Sequence, residues 1–177
     1  MSRQRQVRQQ AGTVADNAVR LDAGKAEQVV EAVNADLAAT TVLAHQLRKH
    51  RWHVAGAQSR QLGEFLGEAT VTVRHHADAL ARRIVAVGGV PVSGPAAAQR
   101  HSPIPFEGED VYDARTSLES DLDAYGELIE SVSSHVELVE SLGDHATGHL
   151  LRELLVDLES DAHAIQSFLA HDSLTLW

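Results

Sequence analysis

Apolar residues recur along most of the chain at intervals of three and four, the spacing that places them on one face of an α-helix. From about Asp22 the run takes in Val30, Val33, Leu37, Ala44 and Leu47, with Asp22 placed to cap the first turn. Gly56, just after Val54-Ala55, supplies a stop, and Ser59 stands where the N-cap of a second helix belongs. The second run carries Leu62, Phe65, Leu66, Ala69, Val73, Ala77, Leu80, Ile84 and Val87 and ends at Gly88-Gly89. Within it, Ala69-Thr70-Val71-Thr72-Val73 alternates β-branched residues as a strand would. That stretch is too short to outweigh the helical phase on both sides, so a helix of locally weak propensity is expected. The joint between these two helices is short, which favours an antiparallel hairpin.

A third run follows Glu109-Asp110 with Val111, Leu118, Leu122, Tyr125, Ile129, Val132, Val136 and Val139. Leu142-Gly143-Asp144 offers a terminating glycine and then an N-cap for a fourth run of Leu151, Leu154, Leu155, Leu158, Ala162, Ile165 and Leu169. All four prolines, Pro91, Pro95, Pro103 and Pro105, fall with Gly94 and Gly108 between the second and third runs. A long connection with little regular structure is expected there, and inside a compact domain such a loop needs a reason. Parallel second and third helices supply one, because the chain must then travel the length of the bundle outside the helices. The result is an all-α protein with one domain over 22–170, a tail over 1–21 and a short tail over 171–177.

Composition narrows the chemistry. At 177 residues and 44% hydrophobic, the chain can bury one core without covalent staples. Without cysteine, metal binding falls to His, Asp and Glu, and a reducing compartment fits. The one methionine is Met1, which excludes a Met-ligated haem. No apolar run suits a membrane span or a signal-peptide core, so a soluble, cytoplasmic protein with no membrane partner is expected. The net charge of −10 argues against general affinity for nucleic acid, but it is unevenly spread. Arg3, Arg5 and Arg8 precede the first acid, Asp16, in a Gln-rich segment poor in large apolar residues, which predicts a flexible basic tail on an acidic body.

Several features coincide at related places. Trp52 and Gly56-Ala57 lie around the first turn, Gly88-Gly89-Val90-Pro91 closes the second helix, Tyr125 lies on the third, and Gly143-Asp144 opens the fourth. Together they resemble the Dps family of the ferritin-like proteins, from about Asp22 to Leu169. Gly143-Asp144-His145-Ala146-Thr147 and Asp161-Ala162-His163 look most like the archaeal halophile-type members. The resemblance implies a ferritin-like four-helix bundle with a long crossover between its helices B and C. It also implies a dodecameric homo-oligomeric shell that takes in ferrous iron, oxidises it, stores the mineral and so protects against oxidative stress. Some members bind DNA through basic N-terminal tails, which makes Arg3, Arg5 and Arg8 candidates here.

The family's ferroxidase site lies between two subunits. It uses a His before the Trp, a second His eleven residues after that Trp, an acid four further on, then an Asp and a Glu along the second helix. The matching residues here are Arg51, Gly63, Gly67, Asp78 and Arg82, so Asp78 alone remains as a metal ligand. Guanidinium groups donate hydrogen bonds and cannot ligate a cation. Arg74, Asp78 and Arg82 share a helix face, so either Asp78 joins an ion-pair network there or Arg51, Arg74 and Arg82 bind an anion such as phosphate. His50 and Glu68 adjoin the lost ligand positions but point elsewhere round the helix. Glu68 and His75, seven apart, form a candidate secondary metal pair, against a plain solvated face. His145, His149, Glu153 and Asp157, with Asp144 ahead of them, form a polar line on the fourth helix, and the resemblance makes Asp144, His145, His149 and Glu153 candidate pore or cavity ligands. Two functions are therefore open. One is an iron-sequestering cage with the usual oxidation ligands mostly lost; the other is a non-catalytic structural, DNA-binding or anion-binding cage, partnering an active paralogue.

Overall fold

A computed structural model describes residues 6–170 and contains five helices in order. They are α1 (Ala23–His53), α2 (Ser59–Ala86), α3 (Pro95–His101), α4 (Ala114–Ser141) and α5 (His145–Leu169). α1, α2, α4 and α5 are the four long helices of a bundle, and none of the described helices is long and apolar enough to cross a membrane. Asp22 caps α1 as expected, accepting from the amides of Gly24 and Lys25. Ser59 does not cap α2: it is the first helical residue after Gln58, and Gly56, at φ +95°, makes the turn. The β-branched stretch 69–73 is helical throughout, with Ala69, Thr70 and Val73 buried.

The cross-helix pairs fix the directions. His50 and Gln46 of α1 meet Asp121 of α4, whereas Asp36 meets His135, so α1 and α4 run antiparallel. His76 meets Asp157 and Arg83 meets Thr147, so α2 and α5 are also antiparallel. With α1 and α2 in a hairpin, α2 and α4 run parallel, which accounts for the long crossover. That crossover is more regular than its prolines suggest. Pro95 opens the short helix α3, where its missing amide costs nothing, and Ala98 and Ile104 are buried in the core. α4 starts at Ala114 behind Asp113, which accepts from the Thr116 amide, so Val111 lies outside the helix and is exposed.

α1 packs against α2, α3 and α4 and is buried around more of its circumference than the single face predicted. Small residues such as Ala38, Ala39 and Ala44 allow this close approach. Polar residues inside the bundle are paired. Asp36, fully buried, accepts from Ser131 and meets His135 at 2.9 Å, and the buried Tyr125 donates to Asp161 at 3.0 Å. Residues 6–21 lie along the body: the Ala15 amide and the Gln9 side chain both bond the Gly88 carbonyl at 2.8 Å, and Val14 and Leu21 pack on the core.

Candidate functional site

The seam between α1 and α2 brings two of the expected metal positions, 51 and 67, together. The Arg51 guanidinium lies over Gly67, where an added Cβ would come within 2.8 Å of Cζ and 3.0 Å of Nη1. Residues 51 and 67 are therefore spatial partners, and the glycine is what leaves room for the cation. Gly63, by contrast, faces Val54, with no side chain of its own to offer. Further along the seam is a cleft of about 240 Å³ lined by Thr41, Ala44, His45, Arg48, Arg74, Ala77 and Asp78. Arg82 does not line it. Within one chain none of Arg74, Asp78 and Arg82 lies within 4.0 Å of an oppositely charged side chain among the described residues. Helical spacing put them on one face, but side chains four apart must also bend toward each other to pair, and exposed arginines gain little by doing so.

His50, beside a lost ligand position, and the pore candidate Asp144 are both committed to partners within the protein. His50 is buried with Nδ1 2.9 Å from Asp121 Oδ1 and Nε2 2.9 Å from Glu107 Oε2. Gln46 also donates to Asp121 Oδ1 at 3.0 Å, and Lys49 bonds Glu107 at 2.5 Å. Burial pulls the His50 imidazolium down, but the hydrogen bonds and charges of Asp121 and Glu107 outweigh it and hold the group above its ordinary value. Burial, only partly offset by His50 and Gln46, pushes the Asp121 carboxyl up, and its Oδ2 has no partner. Asp144 is likewise buried. It accepts from the Thr147 amide and hydroxyl and from Arg83 at 2.6 Å, so it presents no free carboxylate to a pore.

Of the remaining candidates, His75 and Glu153 lie together between α2 and α5. These helices touch at Phe65–Phe168, His76–Asp157 and Arg83–Thr147 and leave a groove of about 660 Å³ lined by Val71, Thr72, His75, His76, Glu153, Val156 and Asp157. His76 Nε2 lies 2.7 Å from Asp157 Oδ2, and His149 Nε2 lies 3.4 Å from Glu153 Oε1. Glu68 is exposed and does not line this groove, and His145 is exposed at the start of α5. Among the described residues no three His, Asp or Glu side chains form a ready-made cation site within one chain. The groove is a polar wall with exposed Val71 and Val156 on it. Sequence spacing did not find His76–Asp157, because the partners lie on different helices, eighty-one residues apart.

Comparison with known proteins places this architecture. A ferritin-like domain model matches residues 30–175. The DNA protection during starvation protein of Halobacterium salinarum is 52% identical over 98% of this chain and 96% of its own length. The crystal structure of an archaeal Dps homologue from that organism superposes with a TM-score of 0.91 over 96% of this chain and 94% of that one. The chain belongs to the Dps family of ferritin-like proteins. A nutrient stress-induced DNA-binding protein from Synechococcus is 35% identical over 90% of the chain and 91% of its own length. A Vibrio cholerae Dps protein, a member of the ferritin-like diiron-carboxylate proteins, shares the fold at 22% identity and a TM-score of 0.82, over 89% of this chain and 98% of that one. For this Dps chain, Arg8 is exposed at the start of the described segment, while Arg3, Arg5 and the tail over 171–177 lie outside the described residues.

Proposed function

We propose that this Dps protein assembles as a hollow homo-oligomeric shell of twelve chains that sequesters iron as cargo and thereby protects against oxidative stress. Little or no oxidation takes place at the family's usual inter-subunit site. The observation that carries this reading is Arg51 lying over Gly67: two positions that would supply a His and an acid hold a fixed cation and no side chain. Iron as substrate needs oxygen and imidazole donors in an open coordination shell, and a guanidinium repels the ion it replaces a ligand for. The donor set that does suit ferrous or ferric iron is the α2/α5 groove, with His75, Glu153 and Asp157 on its wall and His149 beside it. Because the described residues of one chain form no closed site, retention relies on repetition of this wall round the shell.

The names of the relatives favour DNA protection as the purpose. In this chain an iron-holding shell serves that end by removing ferrous iron from peroxide chemistry. Direct DNA binding would rest on Arg8 with Arg3 and Arg5, repeated by multivalency, and would be steeply salt-dependent. The unpaired arginines of the α1/α2 seam favour the second reading, a cage without iron chemistry that binds anions. Iron retention decides between them. Iron-free protein is loaded with ferrous iron and peroxide, passed through a desalting column and assayed for bound iron. The expected result is a soluble iron-bearing shell whose load falls severalfold in a Glu153→Gln/Asp157→Asn/His75→Ala variant. No retained iron above a bovine albumin control would leave the non-catalytic cage.

A further inference from the structure

His50 of α1 joins three parts of one chain through a single ring. Nδ1 meets Asp121 of α4 and Nε2 meets Glu107 of the crossover, each at 2.9 Å, and no other imidazole among the described residues faces two acids. An ionised carboxylate only accepts, so both contacts are hydrogen bonds only while both ring nitrogens carry protons. The neutral ring has one proton to place. It belongs on Nδ1, because Asp121 is fully buried and its Oδ2 already lacks a partner, whereas the Glu107 side chain keeps 14% of its surface in solvent. The Nε2 lone pair then faces the Glu107 carboxylate.

Glu107 lies in residues 102–113, the part of the crossover between α3 and α4 that carries no helix. Side chains of α1 tie this segment down. Lys49 bonds Glu107 and the Gly108 carbonyl and stands 5.3 Å from the Tyr112 ring centre, and the Phe106 ring packs 5.7 Å from that of His45. The surroundings of His50 are Lys49 and His53 on its own helix, Glu107 and Tyr112 of the crossover, Asp121 of α4, and the apolar Leu62 and Leu66 of α2. We propose that His50 is a proton-operated latch on the crossover: with both nitrogens protonated it pins residues 102–113 to α1 and α4, and loss of the Nε2 proton loosens that segment while Asp121 stays bound. Burial pulls the imidazolium down, but Asp121 and Glu107 prevail and hold it above its ordinary 6.5, so the latch stays closed at pH 6.5 and opens as pH rises through the raised value. Lys49 and the Ser120 hydroxyl, 3.3 Å from Glu107 Oε1, keep the acid near, so the segment loosens without unfolding the bundle.

Backbone amide exchange tests the latch, read by mass spectrometry on the assembled full chain without iron, so that its outcome is separate from that of the iron-storage proposal. Rates are corrected for the intrinsic pH dependence of exchange, measured on the unfolded chain. From about pH 6 to about pH 9, protection of peptides within 102–113 is expected to fall about tenfold or more, while peptides of α5 change by less than about twofold. Glu107→Gln gives Nε2 a partner that both donates and accepts, so the segment stays protected across the whole range. His50→Gln removes the titrating group and leaves protection of the segment independent of pH. Protection that does not change with pH in the native protein, or a fall that persists undiminished in Glu107→Gln or His50→Gln, would overturn the proposal. Should a variant fail to assemble, exchange of the His50 ring C2 hydrogen in the native protein still decides. Its titration must coincide with the loss of protection at 102–113, and midpoints about one pH unit or more apart contradict the latch.

Discussion

His50 shows how far one residue's surroundings can depart from its place in the sequence. It stands between Lys49 and Arg51 in a stretch of metal-binding residue types, yet both ring nitrogens are taken by Asp121 and Glu107. Changing it to alanine strands Asp121, fully buried, without its main counter-charge. His50→Ala is expected to lose ~3–5 kcal/mol of stability, read from urea unfolding midpoints near pH 6. The pH dependence follows from the directions of the shifts. His50 is held above its ordinary 6.5, so its contribution is complete below pH 6.5 and fades as pH rises through the raised folded value. For Glu107, burial pushes upward but Lys49 and His50 prevail and hold it below its ordinary 4.5, so its contribution is complete above pH 4.5 and fades as pH falls. The stability difference between native protein and His50→Ala should therefore be largest between pH 4.5 and 6.5. A difference that grows steadily above pH 7 would contradict the assignment.

At the scale of elements, the helices were legible because their apolar spacing, their Asp22 and Asp144 caps and the glycine at 143 all obey local rules. The parallel course of α2 and α4 was legible for the same reason: the proline-rich segment is too long for a hairpin. The candidate site was only half legible. That residue 51 meets residue 67 depends on a tertiary contact, and so do the cleft of His45, Arg48 and Arg74 and the pairing of His76 with Asp157. Helical phase says which side chains share a face, not which ones turn toward each other. The tail over 1–21 was read as flexible from its composition, but the Ala15 amide and the Gln9 side chain tie its described part to the Gly88 carbonyl, contacts that composition does not report. Gly88 is the anchor. It sits at φ +88°, and an added Cβ would come within 2.1 Å of the Ala15 carbonyl oxygen. Gly88→Ala is expected to release residues 6–21 and to cost ~1–2 kcal/mol from the left-handed backbone alone. Limited proteolysis should show faster cleavage N-terminal to Asp22, with the bundle intact; unchanged cleavage would mean the segment is held elsewhere.

At the scale of the whole molecule, the fold and the family are settled while the chemistry hangs on the α1/α2 seam. On the function proposed above, Arg51, Gly63, Gly67 and Arg82 are the positions that would separate this chain from an iron-oxidising pattern. The direct measurement is the initial rate of ferric absorbance after ferrous iron and limiting peroxide are added to the native protein. A variant carrying Arg51→His, Gly63→His, Gly67→Asp and Arg82→Glu is measured alongside it. The native protein should oxidise iron no faster than buffer at low iron loads, and the variant should show rapid, saturable oxidation. Rapid saturable oxidation by the native protein, or none by an assembled variant, would contradict the claim that these positions decide the chemistry.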